Sequence, residues 1–379
     1  MKKSDRINIW IHSVFRRYVL NAYRRKSKRV ELVHPDLFSP VSRELVKTHK
    51  RLWERLGVPC TDRWLRLHVN LTGIEDYRFC PEDVYFARIE RIMCPTEMAG
   101  QGIEDKNCLD AFLGKGLFPE TIVRYMRGSF YDSDYNWLDD ARVNRILVED
   151  HGDLVIKPCM SSGGNGVERV CFQHKGYPVG SGFLDAAYIR KIGGESFAVQ
   201  KKLVSDDFSA GFNAASANTC RMMMMRCPWN GEVVVLRTMM RLGTSDAIVD
   251  NMMKGGLCVC IDAQGRFGKY GYDYNGRRFE VHPTSSIRFA GLIHPAYMDM
   301  VHTAKEIMQK IPYYHLLSFD LLPDQTGQIR IVEINASSQG ITQLQYDFGG
   351  LFGEYTERMV DWCVEHGELD TFKHFRTWY

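Results

Sequence analysis

The sequence predicts an α+β protein in which a mainly helical N-terminal region precedes two units built from strands and helices. Apolar residues recur at helical spacing up to about residue 95, whereas short strand-like runs and turns begin near Ile103. The later strands and helices do not alternate strictly as βαβ units, which favours α+β layers. The 379 residues suffice for two or three packed units, and we expect boundaries at 1–95, 96–203 and 204–379.

Composition indicates an ordinary globular protein. The residues are 45% hydrophobic and 25% charged, and the formal net charge is only +3, so we expect no nucleic-acid partner. The eleven cysteines lack a paired CxxC spacing, which fits reduced thiols better than a disulfide framework or a structural zinc site. The sequence shows neither a run of about 18 apolar residues nor the apolar core of a signal peptide. We therefore expect a cytoplasmic protein.

Residues 1–30 predict an amphipathic helix with a cationic face. Apolar residues follow helical spacing, and basic residues lie between them. The helix could rest on an anionic membrane or on an acidic partner, which would make the protein membrane-associated. The alternative is a solvated helix that packs on its own domain. The basic residues are Lys2, Lys3, Arg6, Arg16, Arg17, Arg24, Arg25, Lys26, Lys28 and Arg29.

The remaining elements follow from periodicity and turn residues. A second helix is predicted over 40–56, beginning near Ser42 and ending before Gly57. Two amphipathic stretches towards the C-terminus predict helices over His294–Lys310 and Leu351–Glu365. Apolar runs bounded by turn residues predict the strands Asn144–Glu149, Leu154–Lys157, Val167–Phe172, Phe197–Leu203, Arg221–Arg226, Glu232–Leu242 and Leu257–Asp262.

The segment from Leu317 to Asn335 predicts a metal-binding hairpin. Asp320 lies in one apolar run, and Glu333 and Asn335 stand two apart in the next, so the latter two share one face of a strand. Turn formers between the runs could fold the second strand back beside the first. Three hard oxygen donors would then converge, as Mg²⁺ prefers. The alternative is an exposed strand edge with incidental carboxylates.

A candidate phosphate holder follows the strand that ends in Lys157. Small and glycine-rich residues separate this strand from the next, and their backbone N–H groups could turn towards phosphate oxygens. Lys157 would supply a point charge. The spacing does not match a Walker-type P-loop, and the alternative is a purely structural hairpin turn. The loop residues that we assign to nucleotide binding are Ser161, Ser162, Gly163, Gly164 and Gly166.

In combination these motifs resemble the ATP-grasp superfamily. The loop, the distant Asp and the Glu-x-Asn motif occur in the family's order, and Lys106 in Asp-Lys-Asn matches an earlier phosphate-binding lysine of the family. Phe197–Leu203 matches the strand whose backbone reads adenine, although the family usually has a glutamate near Gln200. The resemblance implies nucleotide contacts from Gln200, Lys201, Lys202 and Leu203.

A narrower resemblance covers roughly residues 100 to 360. It looks like the sugar-transfer-associated ATP-grasp group found in surface-polysaccharide gene neighbourhoods. The motifs that carry it are Asn218-Thr-Cys-Arg221, the strand 236–242, Val249 to Gly256, Glu333-Ile-Asn with Gly340, and Gly350-Leu-Phe-Gly353.

The resemblance implies an ATP-grasp fold, in which two α+β subdomains clasp ATP, with one or two Mg²⁺ ions or Mn²⁺ held by Asp320, Glu333 and Asn335. It also implies a carboxylate-amine ligase that works through an acyl phosphate. The substrates would be a small carboxylate and an amine, either of which could be sugar-linked. One alternative is a kinase that phosphorylates a small-molecule or sugar hydroxyl. The other is a nucleotide-binding module without turnover.

Catalytic roles are expected for Lys157, Arg221 and Arg241. The two arginines lie in strands expected beneath the phosphates, where a guanidinium could clamp a phosphate or a carboxylate bidentately. The alternative for each is an ion pair across the sheet. His282 and His294 are interpreted as turn or core residues. Cys159 is interpreted as a bystander thiol, because no histidine partner is identified.

Overall fold

A computed structural model describes residues 3–94, 99–159, 166–173, 176–180, 182–192, 196–245, 247 and 249–369. Within these ranges, helices at the N-terminus precede two antiparallel sheets, which confirms the predicted α+β class. The helices are α1 (Lys3–Val33), α2 (Arg43–Trp53), α3 (Arg63–Thr72), α4 (Glu82–Val84), α5 (Glu90–Met93), α6 (Ala99–Glu104), α7 (Leu109–Leu113), α8 (Asp140–Glu149), α9 (Ala186–Lys191), α10 (Asp207–Ala210), α11 (Tyr297–Lys310) and α12 (Thr356–Glu365).

The strands form two main sheets. The first has the order β3-β2-β1-β8-β4-β5 and the second β13-β12-β11-β10-β9-β14-β15, and β6 pairs with β7. The strands are β1 (Thr121–Met126), β2 (Ser129–Tyr131), β3 (Trp137–Leu138), β4 (Leu154–Pro158), β5 (Glu168–Val170), β6 (Pro178–Val179), β7 (Gly182–Phe183), β8 (Ser196–Lys201), β9 (Cys220–Arg226), β10 (Val233–Leu242), β11 (Leu257–Ile261), β12 (Phe267–Tyr272), β13 (Arg278–Phe279), β14 (Leu316–Pro323) and β15 (Ile329–Asn335).

The two sheets belong to different hydrophobic cores. The first sheet packs with α8 and α9 around residues such as Val143, Leu154 and Ile189. The second sheet shares one core with α11, α12 and the helices before residue 95. Met222–Met225 of β9 belong to this core, and all four side chains are fully buried. The N-terminal helices are therefore packed as part of the same body as the second sheet.

Local signals explain the ends of α2. Ser42 accepts a hydrogen bond from the Leu45 backbone N–H at 3.5 Å and so caps the helix. A short 3₁₀ turn extends it to Leu56, and Gly57 then ends it with φ of +74°, a conformation that costs glycine little. The predicted helix over 40–56 is therefore confirmed in its position.

The predicted strand over Asn144–Glu149 is wrong, because these residues form the second half of α8. The Asp139 side chain accepts a hydrogen bond from the Arg142 N–H at 2.8 Å and begins the helix. Val143 and Leu147 are buried, and their spacing of four residues places them on one helical face. The short apolar run in the sequence is compatible with the period of a strand and with that of a helix, and the capping Asp139 favours the helix.

Other predicted boundaries shift without changing type. Of the predicted strand Val167–Phe172, only Glu168–Val170 is paired. The helix predicted from His294 begins at Tyr297, and the helix predicted from Leu351 begins at Thr356 after a 3₁₀ turn. Across the residues that the structure describes, none of the helices combines the length and apolar character needed to cross a membrane.

Candidate active site

One face of the second sheet carries the charged residues predicted from sequence. Asp320 lies opposite Glu333 on β15 and opposite Arg221 on β9. Asn335 is two residues beyond Glu333, so its side chain is on the same face. Arg221 in turn lies opposite Met239 of β10, and Arg241 is two residues further along. The register therefore brings together residues as far apart in the chain as Arg221 and Asn335.

Asp320 is the centre of this face. It is fully buried, and its two carboxylate oxygens accept hydrogen bonds at 2.8 Å from Nε and Nη2 of Arg221. Nη2 of Arg241 also donates to Oδ2 at 2.8 Å. Burial alone would raise the pKa of Asp320, but the two guanidinium groups hold it below its usual range. The ion pair across the sheet, the alternative considered for Arg221, is thus present, and its partner is the predicted metal ligand.

Arg241 is held by a second set of contacts. Its Nη2 donates to Thr219 Oγ1 at 2.7 Å, and Thr219 donates from its backbone N–H and its hydroxyl to Asp250 Oδ2 at 2.8 and 2.7 Å. Asp250 Oδ1 lies 3.6 Å from Arg241 Nη2. Both guanidinium groups are therefore fixed by partners on neighbouring elements.

Glu333 and Asn335 are less fully engaged than Asp320. Lys106 Nζ donates to Glu333 Oε1 at 2.8 Å, and the Glu333 side chain is 23% exposed. Asn335 Nδ2 is buried, and no partner for it occurs in the described residues. A rotation of the Asn335 side-chain amide by 180° would place its oxygen where Nδ2 now lies. A carboxylate and an amide on one strand face, beside a second carboxylate, are hard oxygen donors of the kind that Mg²⁺ takes. The donor types of the three residues fit the predicted ion, and both Asp320 oxygens also accept hydrogen bonds from arginine.

Lys157 is the last residue but one of β4, on the other side of the cleft. It is 7% exposed, and no carboxylate of the described chain pairs with it. Burial, helped by the nearby charge of Lys106, lowers the pKa of Lys157 to about 8. Lys106 also donates to the Cys159 backbone carbonyl at 3.4 Å, so both predicted phosphate-binding lysines approach the start of the glycine-rich loop.

Most of the glycine-rich loop falls outside the described residues, including the predicted Ser161, Ser162, Gly163 and Gly164. Gly166, which closes the loop, has φ of +72°. A Cβ at this position would lie 2.9 Å from Pro158 Cγ. Glycine is therefore required here for backbone conformation and for close packing against the end of β4.

The predicted hinge strand is β8 and its continuation. Gln200 is buried, and its Nε2 donates to Thr121 Oγ1 at 2.8 Å. Lys201 Nζ lies 3.0 Å from a Glu120 carboxylate oxygen. After β8 the backbone N–H of Lys202 donates to the Asp153 carbonyl.

Lys202 C=O and Leu203 N–H make no hydrogen bond to other described residues, so the hinge offers one acceptor and one donor to a ligand.

These residues line one cleft between the two sheets, with a cavity volume of about 420 Å³. The apolar side chains Val155 of β4, Val332 of β15 and Val167, which directly precedes β5, contribute to its walls. Seven basic and three acidic side chains also line it, which suits a polyanionic ligand. The structure thus brings the described predicted residues together, apart from Gly166, which is not part of the cleft lining.

The residues predicted to be bystanders lie away from this chemistry or are unsuited to it. His282 and His294 are buried, and His282 Nε2 lies 3.1 Å from the Gly243 carbonyl oxygen. Cys159 is fully buried, and burial raises the pKa of its thiol well above the ordinary value. A thiolate nucleophile is therefore disfavoured at this position.

Sequence reasoning missed two contributors. Glu104 Oε1 accepts hydrogen bonds from the backbone N–H groups of Ala336 and Ser337 at 3.0 and 2.8 Å, which fixes the chain directly after Asn335. Thr219 connects Arg241 to Asp250. Glu104 stands two residues before Lys106, but nothing local in the sequence signals a partner more than two hundred residues away.

A cleft between two antiparallel sheets, with basic residues on both walls and an Asp, Glu and Asn set on one, is typical of the ATP-grasp class. Comparison with protein families agrees with this. The model of the sugar-transfer associated ATP-grasp family matches residues 101–357, and the chain belongs to this family. No curated protein has a significantly similar sequence.

Solved structures show distant similarities. Biotin carboxylase from Campylobacter jejuni aligns with a TM-score of 0.43 and 11% identity over 72% of this chain and 48% of that chain. D-alanyl-alanine synthetase A from Vibrio cholerae aligns with a TM-score of 0.40 and 13% identity over 72% of this chain and 67% of that chain. L-amino acid ligase from Bacillus licheniformis aligns with a TM-score of 0.39 and 14% identity over 70% of this chain and 49% of that chain. The chain thus spans about half the length of the first and third of these enzymes.

Proposed function

We propose that this protein is an ATP-dependent carboxylate-amine ligase. The observation that carries the proposal is the pairing of every acidic side chain that lines the described cleft. Asp320 accepts from two arginines, Asp250 accepts from Thr219, and Glu333 accepts from Lys106. A hydroxyl acceptor usually needs a general base to remove its proton. A carboxylate acceptor is already an anion and needs none, so the cleft suits ligation better than phosphorylation of an alcohol.

The proposed reaction uses the cleft residues for binding and charge neutralisation. An oxygen of the substrate carboxylate attacks the γ-phosphorus of ATP, the bond to the β-phosphate oxygen breaks, and ADP leaves. Lys106, Lys157 and Arg221 offset the charge on the transferred phosphoryl group, and Arg241 orients the acceptor. An amine then attacks the acyl phosphate carbon, and the bond between that carbon and the phosphate oxygen breaks. The departing phosphate takes the amine proton, and the amide remains.

Asp320, Glu333 and Asn335 would hold Mg²⁺, which supplies charge neutralisation to the phosphates when bound. In the described chain, Lys106 Nζ donates to Glu333 Oε1 at 2.8 Å. We infer that phosphate draws Lys106 away from Glu333 and that the ion would take its place, so Glu333 stays engaged in the loaded cleft. The family assignment supports a sugar-linked or amino-acid substrate of surface-polysaccharide synthesis as the finer proposal.

Hydroxylamine trapping tests the reaction class. The full chain, ATP, Mg²⁺ and a panel of uronic and amino acids should yield a hydroxamate together with ADP. A phosphorylated alcohol from a sugar panel would instead establish a kinase. Absence of ADP with both panels, despite measurable ATP binding, would indicate a binding module.

The variant Glu333→Gln removes one charge from the proposed metal set and keeps the side-chain shape. We expect turnover to fall by roughly a hundredfold or more, because the weakened metal site would hold less of the ion that offsets the phosphate charge. Glu280→Gln is the matched control, since Glu280 is exposed and lies outside the cleft lining. Full activity of Glu333→Gln would refute the metal assignment, whatever the substrate.

A further inference from the structure

Helix α1 carries basic residues of two kinds. On its inner face, Lys26 Nζ donates to Glu82 at 2.7 and 2.8 Å, and Arg24 Nε lies 3.4 Å from Asp83 Oδ2. Glu82 and Asp83 are buried, so these inward charges are neutralised and fix the helix to the body of the protein. Val19 and Leu20 pack into the same core.

The outer face has exposed basic residues without acidic partners. No ion pair with any described residue is made by the exposed side chains Arg17, Arg25, Lys28 and Arg29. With about 100° between successive residues of a helix, these four lie within an arc of about 120°. The arc also contains the exposed apolar side chains Trp10, Val14, Tyr18 and Leu32, which are 66%, 50%, 65% and 85% exposed. We call this arc the outer stripe.

We propose that the outer stripe of α1 is a docking surface for an anionic membrane. Its composition matches an interfacial helix, in which apolar and aromatic side chains enter the head-group region and basic side chains contact lipid phosphates. The stripe runs from Trp10 to Leu32 of this helix, about 33 Å at 1.5 Å per residue, and a helix that lies flat on the membrane presents all of it to the lipid.

Other occupants fit the outer stripe less well. A second copy of α1 would bring four unpaired cations against four like charges, which is unfavourable. The phosphates of a nucleic acid would form ion pairs with the basic side chains, but Val14 and Leu32 would have no apolar partner. The mixture of unpaired charge and apolar side chains therefore favours a lipid surface.

Co-sedimentation of the full chain with vesicles tests the proposal. We expect binding to phosphatidylcholine vesicles that contain phosphatidylserine, little binding to phosphatidylcholine alone, and release by added salt. The triple variant Arg17→Glu/Arg25→Glu/Lys28→Glu should lose at least about tenfold in binding to the anionic vesicles. The control Arg142→Glu/Arg145→Glu/Lys305→Glu makes the same change of charge at exposed positions on α8 and α11 and should bind as wild type does.

A second variant separates lipid insertion from simple charge attraction. Trp10→Ser/Tyr18→Ser leaves all charges in place and should also weaken binding to anionic vesicles several-fold. All substituted positions are exposed, so thermal unfolding should stay unchanged and exclude misfolding as the cause. Equal binding to neutral vesicles, or equal losses for the two triple variants, would overturn the proposal. Binding to a DNA duplex that depends on the outer stripe, without binding to anionic vesicles, would assign the stripe to nucleic acid instead.

Discussion

On the second sheet, Arg221 and Arg241 share the carboxylate of Asp320, whereas on the first sheet Lys157 forms no ion pair with a described residue. Both walls face the same cleft, where Arg221 and Arg241 are partly buried and Lys157 is buried. The guanidinium groups keep their positions without a ligand, because Asp320 and Thr219 hold them. Lys157 instead carries a desolvation cost that the nearby Glu333 offsets only in part, and a phosphate would relieve the rest. One wall is thus organised in advance, and the other is completed by the ligand.

The largest expected effect comes from breaking the organised wall. Asp320→Ala would leave two arginines in a buried site without their carboxylate. We expect the free energy of unfolding to fall by about 3–5 kcal/mol, as for other buried ion pairs that lose one partner, and turnover to be lost. Urea denaturation followed by circular dichroism measures the change in stability.

Asp140→Ala is the control for this experiment. Asp140 makes a bidentate contact to Arg190 on the protein surface, with side chains 55% and 40% exposed. Surface pairs contribute little, so its denaturation midpoint should stay close to wild type. A similarly small change for Asp320→Ala would show that the arginines find other partners, and the contrast between the walls would fail.

A smaller effect of opposite sign is expected on the other wall. Lys157→Met removes a buried cation and keeps most of the side-chain volume, so the free energy of unfolding should rise by about 1–3 kcal/mol at neutral pH. Nucleotide affinity should fall by roughly tenfold or more, because the phosphates lose a charge partner. Isothermal titration with a non-hydrolysable ATP analogue measures the affinity. Lys305→Met, at an exposed position outside the cleft lining, should change neither quantity. A variant that lost stability and affinity together would make Lys157 an ordinary structural residue.

The sequence predicts this site better than it predicts the pairing within it. Glu333 and Asn335 are placed on one face by their spacing of two, and the turn residues after Pro323 predict the hairpin with Asp320. That Asp320 is neutralised by Arg221 depends on the register between β9 and β14, which no local pattern encodes. The strand predicted over Asn144–Glu149 failed for a related reason, since a short apolar run fits two periods and only its cap distinguishes them.

The pH dependence of nucleotide binding gives the mildest test of the ligand-completed wall. The pKa of Lys157 is lowered to about 8 in the free protein, and bound phosphate favours the protonated amine. Affinity for the ATP analogue should therefore decrease as the pH rises through about 8, by up to about tenfold per pH unit. Lys157→Arg remains protonated over this range and should remove the decrease. Persistence of the same slope in that variant would assign the titration to another group.

The free energy of unfolding should change with pH in the opposite direction to nucleotide affinity, because both depend on the Lys157 proton. Between about 8 and the ordinary lysine value of 10.5, the unfolded chain binds the Lys157 proton and the folded chain releases it. The contribution of this group to stability therefore increases with pH in that window, while nucleotide affinity decreases. Denaturation and titration curves of wild type should show the two opposed slopes, and Lys157→Arg, which stays protonated, should show neither. A group whose pKa is raised by a carboxylate partner would not stabilise the fold as the pH rises.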